Sequence, residues 1–194
     1  GFTTFALQFG LLFSGMQLGV SPGITSMILQ VQVFFTIALS MVFFGERPNF
    51  LKLVGAVVGF SGVVVVGMHS GSDVNLPGLL LLLGAAFSWA AGNLIAKGLR
   101  SANGLALVVW GGLSATPFLV AFAIYREGLP TLEYFSKVSY ATWGAFSYTV
   151  LLSTHVAYSL WSWLLQRHSA STVAPFSLLV PVFGLFTSSW FLNE

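Results

Sequence analysis

The chain has 194 residues, 56% hydrophobic and only 6% charged, with 19 Phe, 6 Trp, 21 Gly and no Cys, and its mean hydropathy is +0.90. A soluble domain carries roughly 25% charged residues, so this composition excludes a water-soluble globule. Disulfides are excluded by the lack of Cys, and a net charge of +2 from 7 Lys+Arg and 5 Asp+Glu leaves no basic patch for nucleic acid.

The first charged residue is Glu46, and the stretches 53–72, 74–96, 101–125, 138–166 and 168–193 contain no Asp, Glu, Lys or Arg. A bilayer core about 30 Å thick needs roughly 20 apolar helical residues, so each stretch fits one crossing. Residues 1–45 are too long for one crossing and contain Gly19-Val20-Ser21-Pro22-Gly23, which joins a helix-stop to a helix-start signal. The pattern predicts an all-α polytopic membrane protein with helices over 2–19, 22–45, 50–68, 76–98, 104–125, 140–165 and 171–192. Long continuous apolar runs disfavour a β-barrel, whose strands alternate over about ten residues. Arg47, Lys52, Lys97, Arg100 and Arg167 fall on one side of these spans, and Arg126 and Lys137 on the other with Asp73, Glu127, Glu133 and Glu194. The first side is expected to be cytoplasmic.

Aligned with itself at an offset of 149, the chain sets GMQLGVSPGITSMILQVQVFF against LLQRHSASTVAPFSLLVPVFG. Gln17 meets Gln166, Leu29 meets Leu178, Val33 meets Val182 and Phe34 meets Phe183, while Glu46 meets Glu194 at an offset of 148. Span 1 then matches span 6 and span 2 matches span 7, so the repeat unit is five helices. An odd unit inserts its copies in opposite orientations, the inverted repeat of secondary transporters. A complete pair has ten helices, which places two before Gly1 and one after Glu194. On this reading 1–68 holds the last three helices of the first repeat, 69–75 a periplasmic connection, and 76–194 the first four helices of the second.

The segments SPGITSMILQVQVFFTIALSMVFFGERPNFLKLVGAVVGFSGVVVVG, GAAFSWAAGNLIAKGL and VAPFSLLVPVFGLFTSSWFLNE resemble the EamA family of the drug/metabolite transporter superfamily. Within it the chain is most similar to bacterial O-acetylserine/cysteine exporters. The resemblance implies a multi-pass protein of the cell inner membrane that exports small metabolites, amino acids or their derivatives. It also implies a central cavity lined, among the helices present, by spans 1, 2, 4, 6 and 7.

Polar side chains inside a span must find a partner or line water, which makes each a candidate. In span 2, Thr25, Gln32, Thr36 and Ser40 share one face, whereas Gln30 lies with Ser26 on another. Either glutamine can bind a zwitterionic substrate or serve only as an interhelical bond. Span 4 carries Ser88, Trp89, Gly92 and Asn93 at helical spacing. There Asn93 can bind a carboxylate or ammonium or cap a helix distortion, and Gly92 admits a ligand or a neighbouring helix. In span 6, His155, Ser159, Ser162 and Gln166 form one polar face flanked by Tyr158 and Trp161. His155 is a candidate proton carrier, set against a neutral histidine bonded to Ser or backbone. Pro175 and Pro181 free carbonyls and bend span 7. Gly15 with Gly19 and Gly55 with Gly59 are small-xxx-small pairs that point to helix packing.

These residues lead to a secondary transporter working by alternating access on a small zwitterionic or neutral metabolite, with the lipid bilayer as its other partner. The alternative is a structural or assembly subunit, distinguished by a bundle with no polar cavity. An intramembrane enzyme is disfavoured, because the spans hold no HExxH, no aspartate pair and no Cys. No phosphate-binding GxxxxGK[ST] loop is present to drive an ATP-dependent pump, and no motif calls for a metal or cofactor. Oligomeric state is not encoded in any of these features.

Overall fold

A computed structural model describes residues 1–68, 74–129 and 138–183. Among these residues the chain forms seven helices. They are α1 (2–17), α2 (Pro22–Phe44), α3 (Phe50–Met68), α4 (Leu76–Gly98), α5 (Gly104–Glu127), α6 (140–167) and α7 (Ala170–Phe183). Helices α2, α4 and α5 are each long and apolar enough to cross a membrane. The distal part of the seventh expected helix, residues 184–192, and the pairing of Glu46 with Glu194 lie outside the described residues. So do Asp73, Glu133, Lys137 and most of the 69–75 connection.

The helix ends obey local chemistry. After α1 the chain turns through Gly19 at φ +97°, then Ser21 Oγ accepts from Ile24 N–H at 3.4 Å with Pro22 at the first helical position. Asn75 Oδ1 caps α4 through Gly78 N–H at 2.7 Å, and Asn103 Oδ1 caps α5 through Leu105 N–H at 2.8 Å. Gly45 ends α2 in the left-handed region at φ +63°.

Helix α2 is interrupted at Gln30–Val31, where N–H groups bond three residues back, and two further segments depart from α-geometry in a way the 3.6-residue pattern does not anticipate. α1 opens with a π-helical segment, Phe2–Leu7, and α6 contains another, Thr149–Ala157. In the second, Thr154 Oγ1 donates to the Thr149 carbonyl at 2.9 Å and His155 Nδ1 lies 2.6 Å from the Val150 carbonyl, both five residues back. Side-chain bonding to the backbone competes there with the regular ladder. In α7, Pro175 stands in a 3-10 segment, Ala174–Leu178.

Helix α4 is the hub, packing against α1, α2, the last part of α6 and the start of α7. Its buried face includes Leu82, Ala85, Ala86, Ser88, Ala90, Gly92, Asn93, Leu94 and Lys97. Small residues let neighbours approach: a methyl at Gly92 would collide with Thr4 Oγ1 of α1, and one at Gly15 would sit 3.0 Å from the Leu82 side chain. Of the small-residue pairs, Gly15 and Gly59 are packed, Gly55 faces open space, and Gly19 serves the turn instead. Val33 and Ile37 of α2, Ala56 of α3, and Ala174 and Leu178 of α7 form one apolar core, while Leu82 packs with Val20 and Ile24 in another. By contrast, Val42, Phe43, Trp110, Leu113 and Phe118 point outward, an apolar exterior suited to lipid.

Candidate functional site

The polar face expected on span 2 is buried throughout: Thr25, Gln32, Thr36 and Ser40 are all inaccessible. Across from it, Asn93 of α4 is 4% exposed and organises a network joining four helices. Its Nδ2 donates to Gln32 Oε1 at 3.4 Å and to Thr36 Oγ1 at 3.3 Å. Its Oδ1 accepts from Trp161 Nε1 of α6 at 3.0 Å. Thr36 Oγ1 donates to Gln32 Oε1 at 3.2 Å, and Gln32 Nε2 donates to Ser177 Oγ of α7 at 2.6 Å. The two bonds that Asn93 donates are long for N–H···O contacts.

Beside this network lies a cavity of about 90 Å³, walled by Thr3, Thr4 and Phe5 of α1, Trp89 and Asn93 of α4, Val108 of α5, and Tyr158, Trp161 and Ser162 of α6. Trp89 and Tyr158 meet edge to face with centroids 5.7 Å apart, and Phe5 lies 5.7 Å from Tyr158. Trp89 Nε1 and Thr3 Oγ1 are buried without a hydrogen-bond partner among the described residues. A buried polar atom without a partner is costly, so both stand ready for a guest's polar atoms. Among the described residues, no Asp, Glu, Lys, Arg or His side chain lines this cavity.

One turn beyond Asn93 on the same face of α4, Lys97 is buried and paired with Glu46 at 2.9 Å. The carboxylate also accepts from the first N–H groups of α7, Ala170 at 2.8 Å and Ser171 at 3.1 Å, where the helix dipole favours an anion. Burial by itself would raise the Glu46 carboxyl; the Lys97 hydrogen bond, the two backbone bonds and the Lys97 charge outweigh it and hold it near about 2. Lys97 Nζ donates in addition to the His168 carbonyl at 2.8 Å, at the end of α6.

The sequence profile of the EamA-like transporter family matches residues 1–68 and 76–194. The chain belongs to that family. It is 36% identical over its whole length to a protein of Escherichia coli K12 named as a probable amino-acid metabolite efflux pump, covering 67% of that protein. A Salmonella typhimurium protein of the same name is 34% identical over 96% of the chain and 65% of its own length. A probable terminal-alkyne amino-acid exporter of Streptantibioticus cattleyicolor is 24% identical over 90% of the chain and 58% of its own length. The chain thus spans about two thirds or less of these relatives. One solved crystal structure shares the fold at a TM-score of 0.76 with 19% identity, covering 92% of this chain and 62% of that one.

Within this EamA-family fold the residues singled out by sequence separate into groups. Gln32, Asn93 and Trp161 are bonded in one network, and Trp89 and Tyr158 join Asn93 and Trp161 around the cavity. Ser88 is buried and spends its hydroxyl on the Thr3 carbonyl at 3.0 Å. Gln30 stays apart, as its helical angle from Gln32 requires, with Nε2 3.4 Å from the Ser26 carbonyl and Oε1 unpartnered. His155 and Ser159 do not line the cavity: the imidazole bonds to the carbonyl of Val150 and Ser159 Oγ to that of His155. Pro181 is half-buried on α7, past the 3-10 segment. Sequence reasoning did not single out Thr3, Ser177 or the Glu46–Lys97 pair as site residues. Lys97 was readable in principle, because it follows Asn93 by four residues on one helix face.

Proposed function

We propose that the chain forms most of a secondary transporter that exports small zwitterionic or neutral metabolites, amino acids or derivatives of the cysteine and O-acetylserine type, by alternating access. The observation that carries this reading is the pairing of the Asn93 network with an aromatic cavity that has, among the described residues, unpartnered polar atoms and no charged side chain. A zwitterion has no net charge, so dipoles and aromatic faces can match it without a buried counter-ion. The efflux names of the relatives supply the direction of transport. The cavity favours a transporter over an assembly subunit.

Gln32, Trp89, Asn93, Tyr158 and Trp161 form the binding site on this reading, with Ser88 setting the α1–α4 contact. Gln30, Ser159 and Pro181 lie outside the cavity lining and are kept as secondary candidates, and His155 is the candidate proton carrier. On this reading 1–68 holds the last three helices of the first repeat and 76–194 the first four of the second, in the inner membrane with the Lys97 end cytoplasmic. Local geometry supports the repeat: shifted by 149, the π segment Phe2–Leu7 falls on 151–156, inside the π segment Thr149–Ala157.

The test is growth and efflux of cells producing the full-length protein, challenged with toxic levels of individual amino acids and their precursors. Resistance to cysteine-pathway compounds that is lost in Asn93→Ala and Gln32→Ala, with both variants still in the membrane, is the expected result. Resistance to no compound overturns the exporter reading, and unaltered efflux in both variants overturns the site.

A further inference from the structure

Glu46 lies in the connection between α2 and α3, in the first segment of the chain, whereas every group its carboxylate holds lies in the second: Lys97 Nζ at 2.9 Å and the Ala170 and Ser171 N–H groups at 2.8 and 3.1 Å. Lys97 in turn ties the C-terminal end of α6 through the His168 carbonyl at 2.8 Å. Lys52 of α3 adds a parallel link, donating to Thr172 Oγ1 of α7 at 2.7 Å. Four helix ends therefore converge on one ion pair. That pair stands one turn from Asn93 on the same face of α4, so it closes the bundle next to the polar network. Among the described residues, the other end of the bundle is linked by Asn75 Nδ2 to the Leu18 carbonyl and by Arg126 to Gln17.

We propose that Glu46 and Lys97 form a latch that seals one end of the transport path, and that this latch must part before the binding network is open to that side. The inference rests on the transporter reading. A pair in which Lys97 is buried and Glu46 half-buried suits a latch: with both partners in contact each charge is satisfied, and separation becomes favourable when water reaches the Lys97 end as well. Each bond made by the Glu46 carboxylate crosses from 1–68 to 76–194, so a rocking motion of the two segments cannot proceed with the latch made.

These 194 residues contain no cysteine, so Ser162→Cys at the cavity wall, in a full-length background with any cysteine outside them changed to Ser, reports access from one position. The full-length protein carrying it is labelled with a membrane-impermeant maleimide in right-side-out and inside-out vesicles, alone and with Glu46→Gln, Lys97→Met or both. Glu46→Gln keeps an acceptor for α7, and Lys97→Met leaves both α7 bonds to Glu46, so each removes the pair by a different route. Labelling from the Lys97 side should rise about tenfold in each single variant and no further in the double, with the other side unchanged or lower. Lys97→Arg should label like the parent. Rates are normalised to the folded, monodisperse fraction. Unchanged labelling in both single variants, or an equal rise from both sides, overturns the latch. Labelling does not depend on substrate, so absent efflux in the parent overturns the exporter reading without touching this result.

Discussion

Asn93 and Lys97 stand four residues apart on one face of α4, yet they are held by different chemistry. Asn93 donates at 3.3 and 3.4 Å to neutral oxygens, in the midst of hydroxyls and amides. Lys97 meets a carboxylate at 2.9 Å and a carbonyl at 2.8 Å, with its partner's charge spread further over two backbone N–H groups. A charge deep in the bilayer is expensive, while near the helix ends backbone groups freed by the termini can satisfy it. The two regions thus differ in kind: a neutral centre of long bonds between uncharged groups, and a charged end of shorter, charge-assisted bonds.

Removing one side of the pair should break the charged end most severely. Lys97→Met leaves Glu46 without its counter-ion and should cost about 3 kcal/mol, the lower part of the range for a broken buried pair because the α7 bonds survive. Thermal unfolding in detergent reads this loss. At the neutral centre, Asn93→Ala strands the Trp161 donor and loosens Gln32 and Thr36, for about 2 kcal/mol by the same measurement. Acid should separate the regions without mutation. The Glu46 carboxyl is lowered from its ordinary 4.5 to about 2, so its contribution is full above 4.5 and is lost as pH falls from there toward 2. Melting temperature should be flat from pH 7 to 5 and then decline, with the decline absent in Glu46→Gln. The smallest effect should be that of Gln30→Leu, within about 0.5 kcal/mol of the parent, because its amide bonds only within its own helix. A large loss there would place Gln30 in the centre after all.

The positions of six helices and the start of the seventh were legible because lipid demands continuous apolar runs and the breaks between them carry capping residues, as at Gly19-Val20-Ser21-Pro22 and Asn103-Gly104. The π segments were not legible: in Thr149–Ala157 the Thr154 and His155 side chains bond to carbonyls five residues back, which leaves no periodic trace, and nothing in the structure explains the segment Phe2–Leu7 in the same way. The site was legible in part. Helical spacing separated Gln32 from Gln30 correctly, and it drew attention to Asn93. It also grouped His155 with Ser162 on one face, while the structure gives Ser162 to the cavity and His155 to its own helix.

By itself, then, the sequence determined that the chain is a membrane helical bundle, where its helices run, and which faces are polar, because those properties follow from composition and from the period of a single helix. Only the tertiary structure decided which polar faces meet. Asn93 with Gln32 spans 61 residues, Trp161 with Asn93 spans 68, and Gln32 with Ser177 spans 145. Such pairings depend on how far each helix is rotated and how close small residues such as Gly92 let its neighbours come. The same holds for Glu46 and Lys97, two charges that sequence placed on one side of the membrane and packing brought into contact.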